Sequence, residues 1–191
     1  CKLCYIVSFS FLKHMRMMKP LALFILILCT IQPNNANDLI RKACIQTPFY
    51  TDCIRYLKSY PNIDNSNLNE FVVLMFNIMK IEATATSTKI DKLLAGKSIP
   101  RGSRAYDSLV LCAKLYEEIA TSDAVRPMES LIRGDPDIAI VAGKDVAGKA
   151  TQCENNFGGR GSEKTPITVE NNDMNHIGVI ATGIAELLRY E

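Results

Sequence analysis

The feature that most constrains this chain is the placement of its cysteines. There are seven in 191 residues. Cys1, Cys4 and Cys29 sit in an N-terminal stretch unlike the rest, while Cys44, Cys53, Cys112 and Cys153 are spread through the remainder. None of those four lies in a C-x-x-C pair, the spacing that structural zinc and redox sites favour. The same remainder holds a single histidine, His176. A zinc site and a dithiol redox centre are therefore both poor fits. An even set of scattered cysteines reads instead as disulfides, in a compartment that permits them.

The N-terminal stretch points to that compartment. Residues 1–36 contain Lys2, Lys13, Arg16 and Lys19 and no acid, followed by the apolar run Leu21 to Leu28. A basic flank and about ten apolar residues make the pattern of a secretory signal peptide; a spanning helix needs roughly 20. Residues 1–36 are thus expected to be a signal peptide cleaved near Ala36. Met15, Met17 or Met18 is a candidate start, with residues 1–14 then upstream of it. Without residues 1–36 the 22 basic residues fall to 18 against 20 acidic ones, a net charge of about −2. No run of Lys or Arg remains, which argues against a nucleic-acid partner. Residues 37–191 are long enough for one domain with a real core.

Helical periodicity accounts for most of that domain. Asn37 to Cys44 reads as a short helix with Leu39, Ile40 and Ala43 inward. Thr47 and Pro48 are expected to cap and open a second one, carrying Phe49, Cys53, Ile54 and Leu57. Such short helices are marginal alone, and a Cys44–Cys53 bridge would pin them as a hairpin over residues 37–60. The turn-rich Tyr60 to Ser66 follows. Asn67 with Glu70 three residues on predicts a capping box. A long helix then carries Leu68, Phe71, Val72, Met75, Met79, Ala83, Thr86, Ile90, Leu93 and Leu94, and stops at Gly96. The next spans Arg101 to Ile132, with Ala105, Leu109, Cys112, Ala113, Tyr116, Ile119, Ala120, Met128, Leu131 and Ile132 inward and an interruption at Pro127. In Gly134-Asp-Pro-Asp137 one helix ends, Asp135 caps the next and Pro136 takes its first position. That third helix runs to about Phe157 on a face of Ile138, Ala142, Val146, Ala150 and Cys153, and its many small residues allow close approach of a neighbour. Gly158 to Gly161 reads as a connector, lacking the Gly-Lys-Ser/Thr of a phosphate loop. The last helix starts between Thr168 and Asp173.

The expected fold is all-α: an antiparallel four-helix bundle over residues 67–190, preceded by a disulfide-pinned N-terminal α-hairpin. Four cysteines allow three pairings. Neighbouring second and third bundle helices, with Cys112 and Cys153 on their inward stripes, favour Cys44–Cys53 with Cys112–Cys153.

Chemistry is hard to find. His176 has Asp173 nearby but no G-x-S-x-G elbow, so a helix-surface histidine is the simpler reading. Glu117 and Glu118 are adjacent and face different ways, unlike a glycosidase pair across a cleft. Met75, Met79, Met128 and Met174 fall on apolar stripes and fill core. No Asn-x-Ser/Thr sequon is present. No catalytic residue, metal site or cofactor is assigned, which favours a binding protein over an enzyme.

One family matches this pattern. Asp38-Leu39-Ile40 leading into C-x-x-T-x(5)-C (Cys44, Thr47, Cys53) resembles the start of the plant invertase/pectin methylesterase inhibitor family. So do Leu111-Cys112 through Tyr116, "GDPDIAIV" (Gly134 to Val141), "ATQCENNF" (Ala150 to Phe157) and "NHIGVIATGIAELL" (Asn175 to Leu188). The resemblance covers Asn37 to Glu191. It implies the hairpin-plus-bundle fold with the same two disulfides. It also implies a secreted protein of the plant cell wall, or of the vacuole, that performs no reaction. Such a protein binds one carbohydrate-active enzyme, pectin methylesterase or acid invertase, one-to-one and blocks its cleft. In members that inhibit invertase, a Pro-Lys-Phe motif opening the third helix enters the active site. The matching residues here are Pro136-Asp137-Ile138, and an acid inserted among carboxylates would be repelled. That favours pectin methylesterase, with invertase or a non-inhibitory, pollen-allergen-like interaction protein as alternatives. The candidate partner-binding residues are Asp135, Pro136, Asp137 and Ile138, with Thr151 and Gln152 before Cys153.

Overall fold

The computed structural model describes residues 35–61, 63–157 and 165–190. The expected signal peptide and its cleavage, apart from its last two residues, and the Gly158 to Gly161 connector lie outside them. Among the described residues there is no strand.

Helices α1 (Asn35–Ile45) and α2 (Tyr50–Lys58) form the hairpin. Cys44 and Cys53 bridge them with Cα atoms 5.5 Å apart. The turn differs from the sequence expectation. Pro48 lies in the turn, and α2 begins two residues later with Phe49 at its cap position and no side-chain cap. Thr47 serves the other helix: its hydroxyl donates to the Cys44 carbonyl at 3.0 Å, as does its amide. Orphan carbonyls at the end of α1 thus take Thr47 before α2 can. The Thr47 methyl also leans on the last long helix, where a Cβ at Gly183 would stand 3.0 Å from it.

Helix α3 (Leu68–Ala95) starts at the expected capping box. The Glu70 amide donates to Asn67 Oδ1 at 3.0 Å and the Asn67 amide to Glu70 Oε2 at 3.2 Å. Gly96 ends it in an extended conformation, φ −71°, not the left-handed one. The Arg101–Ile132 helix is in fact broken. Helix α4 (Arg104–Glu118) runs into a π-helical turn over Ile119–Asp123, and α5 (Arg126–Ile132) follows with Pro127 in its first turn. Pro127 there sacrifices no helical hydrogen bond. The π turn carries buried Asp123, which Lys149 holds at 2.5 Å. Burial opposes the Lys149 charge, but the hydrogen bonds it donates to Asp123 and Glu118 outweigh it and raise the ammonium above its ordinary pKa. Ala105 and Ile132, expected inward, are exposed: Ala105 lies in the first turn of α4, at the end of the bundle, and Ile132 ends α5 beyond the break, which resets the helical phase.

Helix α6 (Asp137–Asn156) and α7 (Thr168–Leu187) complete the bundle. Pro136 already has helical dihedrals, and the Asp135 carboxylate accepts the Asp137 amide at 3.0 Å. Gly134 sits at φ +76°, the left-handed stop a glycine permits. Helices α3, α4, α6 and α7 pack as a ring in that order, each antiparallel to its neighbours. The ring is closed by α7 against α3. The ring encloses Phe71, Met75, Phe76, Met79, Tyr116, Ile119, Met174 and Ile177, all buried. Cys112 and Cys153 bridge α4 to α6, Cα atoms 5.1 Å apart. Where α6 meets α7 the backbones nearly touch at Gly143 and Gly178: a Cβ on Gly178 would lie 2.7 Å from the Gly143 carbonyl.

Candidate functional site

Helix α6 gives each of its faces a different task. Ala139, Ile140, Ala142, Gly143, Val146, Ala147, Ala150 and Cys153 face the core. Ile138, expected inward, is instead 41% exposed, and Val141 is 58% exposed. The reason is phase. Ala139, Ile140, Gly143 and Val146 take the buried positions of the first turns, which leaves Ile138 and Val141, three residues apart and so on one face, on the side away from the core.

From Ile138 the exposed positions run Val141, Asp145, Gly148, Gln152 and Asn155, at alternating steps of three and four. Such spacing makes one continuous stripe along a helix. A Cβ on Gly148 would meet nothing, so the middle of the stripe is open and flat. Asp135, Pro136, Asp137 and Ile138 stand at one end. Thr151 and Gln152 stand at the other, about 20 Å away at 1.5 Å per residue. The structure does not bring the two groups together; it places them on one helix face. Thr151 is tied to α7, donating to the Ala147 carbonyl at 2.9 Å and accepting from Asn175 at 3.1 Å.

The tip of α6 carries a partner that the sequence reading missed. Arg189, in the C-terminal turn Leu188–Tyr190, reaches Asp137 Oδ1 with Nη2 at 2.6 Å and Nε at 2.8 Å. The hydrogen bond to Asp137 raises the Arg189 pKa above its ordinary value. Lys144 of α6 pairs with Glu186 of α7 at 3.1 Å, just before that turn. Asp137 is therefore not a bare anion, and the repulsion expected of it in a carboxylate-lined cleft is reduced. No spacing rule joins residues 52 apart in the chain, so only the fold could reveal this pair.

The residues weighed for catalysis find structural partners. His176 stacks on Phe49 with ring centroids 3.6 Å apart, and its Nδ1 contacts Asp52 Oδ2 at 2.9 Å, so Asp52 and not Asp173 is its carboxylate. Asp52 also accepts from Arg55 at 3.0 Å. The link joins hairpin to bundle, and among the described residues no serine hydrogen-bonds that imidazole. Glu118 pairs with Lys149 at 2.9 Å on the surface. Among the described residues no cluster of three His, Cys, Asp or Glu could hold a metal ion, and no helix is long and apolar enough to cross a membrane.

Known proteins resemble this arrangement in sequence and in fold. Residues 38–184 match the family model of the plant invertase/pectin methylesterase inhibitors. A relative from Arabidopsis thaliana, cell wall / vacuolar inhibitor of fructosidase 1, is 24% identical over 170 residues, covering 89% of this chain and 78% of its own. Among solved structures, a mutant form of a pectin methylesterase inhibitor from Arabidopsis superposes with a TM-score of 0.64 at 18% identity, covering 75% of this chain and 93% of that one. A second pectin methylesterase inhibitor, from Arabidopsis thaliana, gives 0.57 at 17% identity, covering 78% and 95%. These two show the fold, and the family model spans most of the chain. The chain belongs to the plant invertase/pectin methylesterase inhibitor family, a family of protein inhibitors and not of catalysts.

Proposed function

We propose that this protein binds pectin methylesterase of the plant cell wall one-to-one and covers its cleft with the exposed face of α6. The observation that carries this reading is the open stripe from Ile138 to Asn155. It is long, apolar at one end and polar at the other, and rigid because the opposite side of α6 is locked into the core. A preorganised surface loses little entropy on binding. A stripe about 20 Å long suits the covering of an elongated polymer cleft better than the plugging of a small pocket. The chain is secreted in this reading, to the wall or the vacuole.

A second reading, inhibition of acid invertase, is favoured by the relative that is named as an inhibitor of fructosidase. The Asp137–Arg189 pair favours it as well, because it neutralises the acid at the tip. One experiment separates them. The purified full chain, with both disulfides oxidised, is titrated into a plant pectin methylesterase and an acid invertase at mildly acid and neutral pH. Stoichiometric loss of esterase activity alone supports the first reading. Loss of invertase activity alone establishes the second. Silence in both assays rejects inhibition of either enzyme.

A further inference from the structure

At the end of the bundle where α3 turns into α4, the surface holds a concavity of about 430 Å³. Small-molecule clefts run from about 300 to 1,000 Å³. Its apolar walls include Ile99, Pro100 and Phe157, and its polar ones Ser98, Ser108 and Arg104. Ser108 is buried and its hydroxyl donates to the Asn156 carbonyl at 3.1 Å, which leaves its lone pairs for a donor.

The segment that forms one wall of this concavity carries charge of one sign. The chain has no run of basic residues, yet Lys97, Arg101 and Arg104 fall within eight positions that contain no acid. The nearest acids in the chain are Asp91 and Asp107. None of the three cations makes an ion pair with a described residue. They do not serve α4 either: Arg104 is its first residue, where a cation opposes the helix dipole and a carboxylate would be favoured. Arg104 lines the concavity, and cations that make no ion pair with a described residue are available to an anion from outside.

We propose that this concavity binds a carboxylated sugar of an anionic polysaccharide, a polyuronate, independently of the α6 face. The three cations meet carboxylates along the polymer. The Arg104 guanidinium offers the planar fork that a carboxylate accepts. Phe157, Pro100 and Ile99 lie against the apolar face of a pyranose ring, and Ser98 and Ser108 meet its hydroxyls. A bare phosphate would use the cations and leave the apolar wall unused. The choice of a uronate among carboxylated sugars rests on the pectin-directed reading above. The site tethers the protein to the polymer, on a different surface from the one that meets the enzyme.

The test is calorimetric titration of the full chain with an oligogalacturonate of about ten residues, at low and at moderate salt. Three further ligands are titrated in parallel: the fully methyl-esterified oligomer, polyphosphate of similar charge, and a DNA oligonucleotide. The expected result is saturable binding of the charged oligomer that weakens several-fold as salt is raised. The esterified oligomer, polyphosphate and DNA bind at least tenfold more weakly. The triple substitution Lys97→Ser, Arg101→Ser, Arg104→Ser weakens oligogalacturonate binding at least tenfold. Its melting temperature and its titration against the enzyme stay unchanged. Phe157→Ala, with the cations intact, weakens binding of the oligomer but not the residual binding of polyphosphate. No binding at millimolar oligomer overturns the proposal, as does equal binding of the esterified form. Equal binding of polyphosphate or DNA reduces the site to general electrostatics and overturns it too. Because polymer binding is read without any enzyme, its failure is distinguishable from failure of the inhibitor reading.

Discussion

Single atoms decide how close α6 and α7 can come. Gly143 has the Gly178 carbonyl 2.8 Å from where its Cβ would be, with the Thr182 hydroxyl beside it already donating to that same carbonyl at 2.9 Å. Gly143→Ala must push backbone from backbone or break that hydrogen bond. Overpacking of this kind costs about 1–3 kcal/mol, and thermal unfolding of the variant should show a lower melting temperature. Gly148→Ala on the open face is the control. It adds a better helix former with nothing to clash against, so the melting temperature should hold or rise. A polar residue is equally exacting nearby. Tyr116 is buried and its hydroxyl donates to Asn171 Oδ1 at 2.9 Å, while Asn171 Nδ2 donates to Glu154 at 2.7 Å. Burial pushes the Tyr116 pKa far above its ordinary value, which favours the neutral hydroxyl that donates here. Asn171→Ala strands that donor, and a buried unsatisfied group costs about 1–3 kcal/mol. Urea unfolding should show the loss, and adding Tyr116→Phe to it should recover part.

The elements were legible in unequal measure. The long helices could be read because each carries a buried stripe and clear ends: Asn67 with Glu70, Gly134 with Asp135. The hairpin turn was misread because Thr47 and Pro48 fit a helix start by local rules, and the end of α1 claimed Thr47 first. The break at Ile119–Asp123 has no local signal apart from Pro127 further on; it depends on Lys149 of another helix burying against Asp123. Neither disulfide among the described residues ties the hairpin to the bundle; its buried face and Asp52–His176 hold it there. The Arg55 hydrogen bond is the main cause that lowers the Asp52 pKa below its ordinary 3.8; burial opposes it and His176 adds to it. A carboxylate depressed in the folded state contributes stability that is present above its unfolded value. That contribution is lost as pH falls through the folded value. Asp52→Asn should therefore lower the urea midpoint at pH 6 and shrink the difference between pH 6 and pH 3. The effect should be small, about 1 kcal/mol or less, because the pair is partly solvated. An unchanged pH profile would place the hairpin's attachment in its apolar face alone.

At the scale of the molecule, function follows from which side of a helix is left over once the core is filled. The sequence named the two ends of α6 as candidates and missed that they share a face. That depends on Ile140, not Ile138, entering the core. It missed Arg189 as well, since chain order says nothing of what the C-terminal turn will reach. The face can be tested against an equally exposed site elsewhere. Val141 is 58% exposed in the upper half of the stripe, and Val169 is 69% exposed in the first turn of α7. A glutamate at either position is solvated in the free protein, so neither variant should change stability by more than about 0.5 kcal/mol. In a complex that covers α6, however, Val141→Glu buries an unpaired carboxylate, which costs several kcal/mol unless it finds a partner. Inhibition of the target enzyme should weaken at least tenfold for Val141→Glu and stay at the wild-type level for Val169→Glu. Equal inhibition by both would move the interface off α6, to the tip at Arg189 and Tyr190 or to the outer side of α3. Loss in both, with melting temperatures intact, would extend the interface from α6 onto the start of α7.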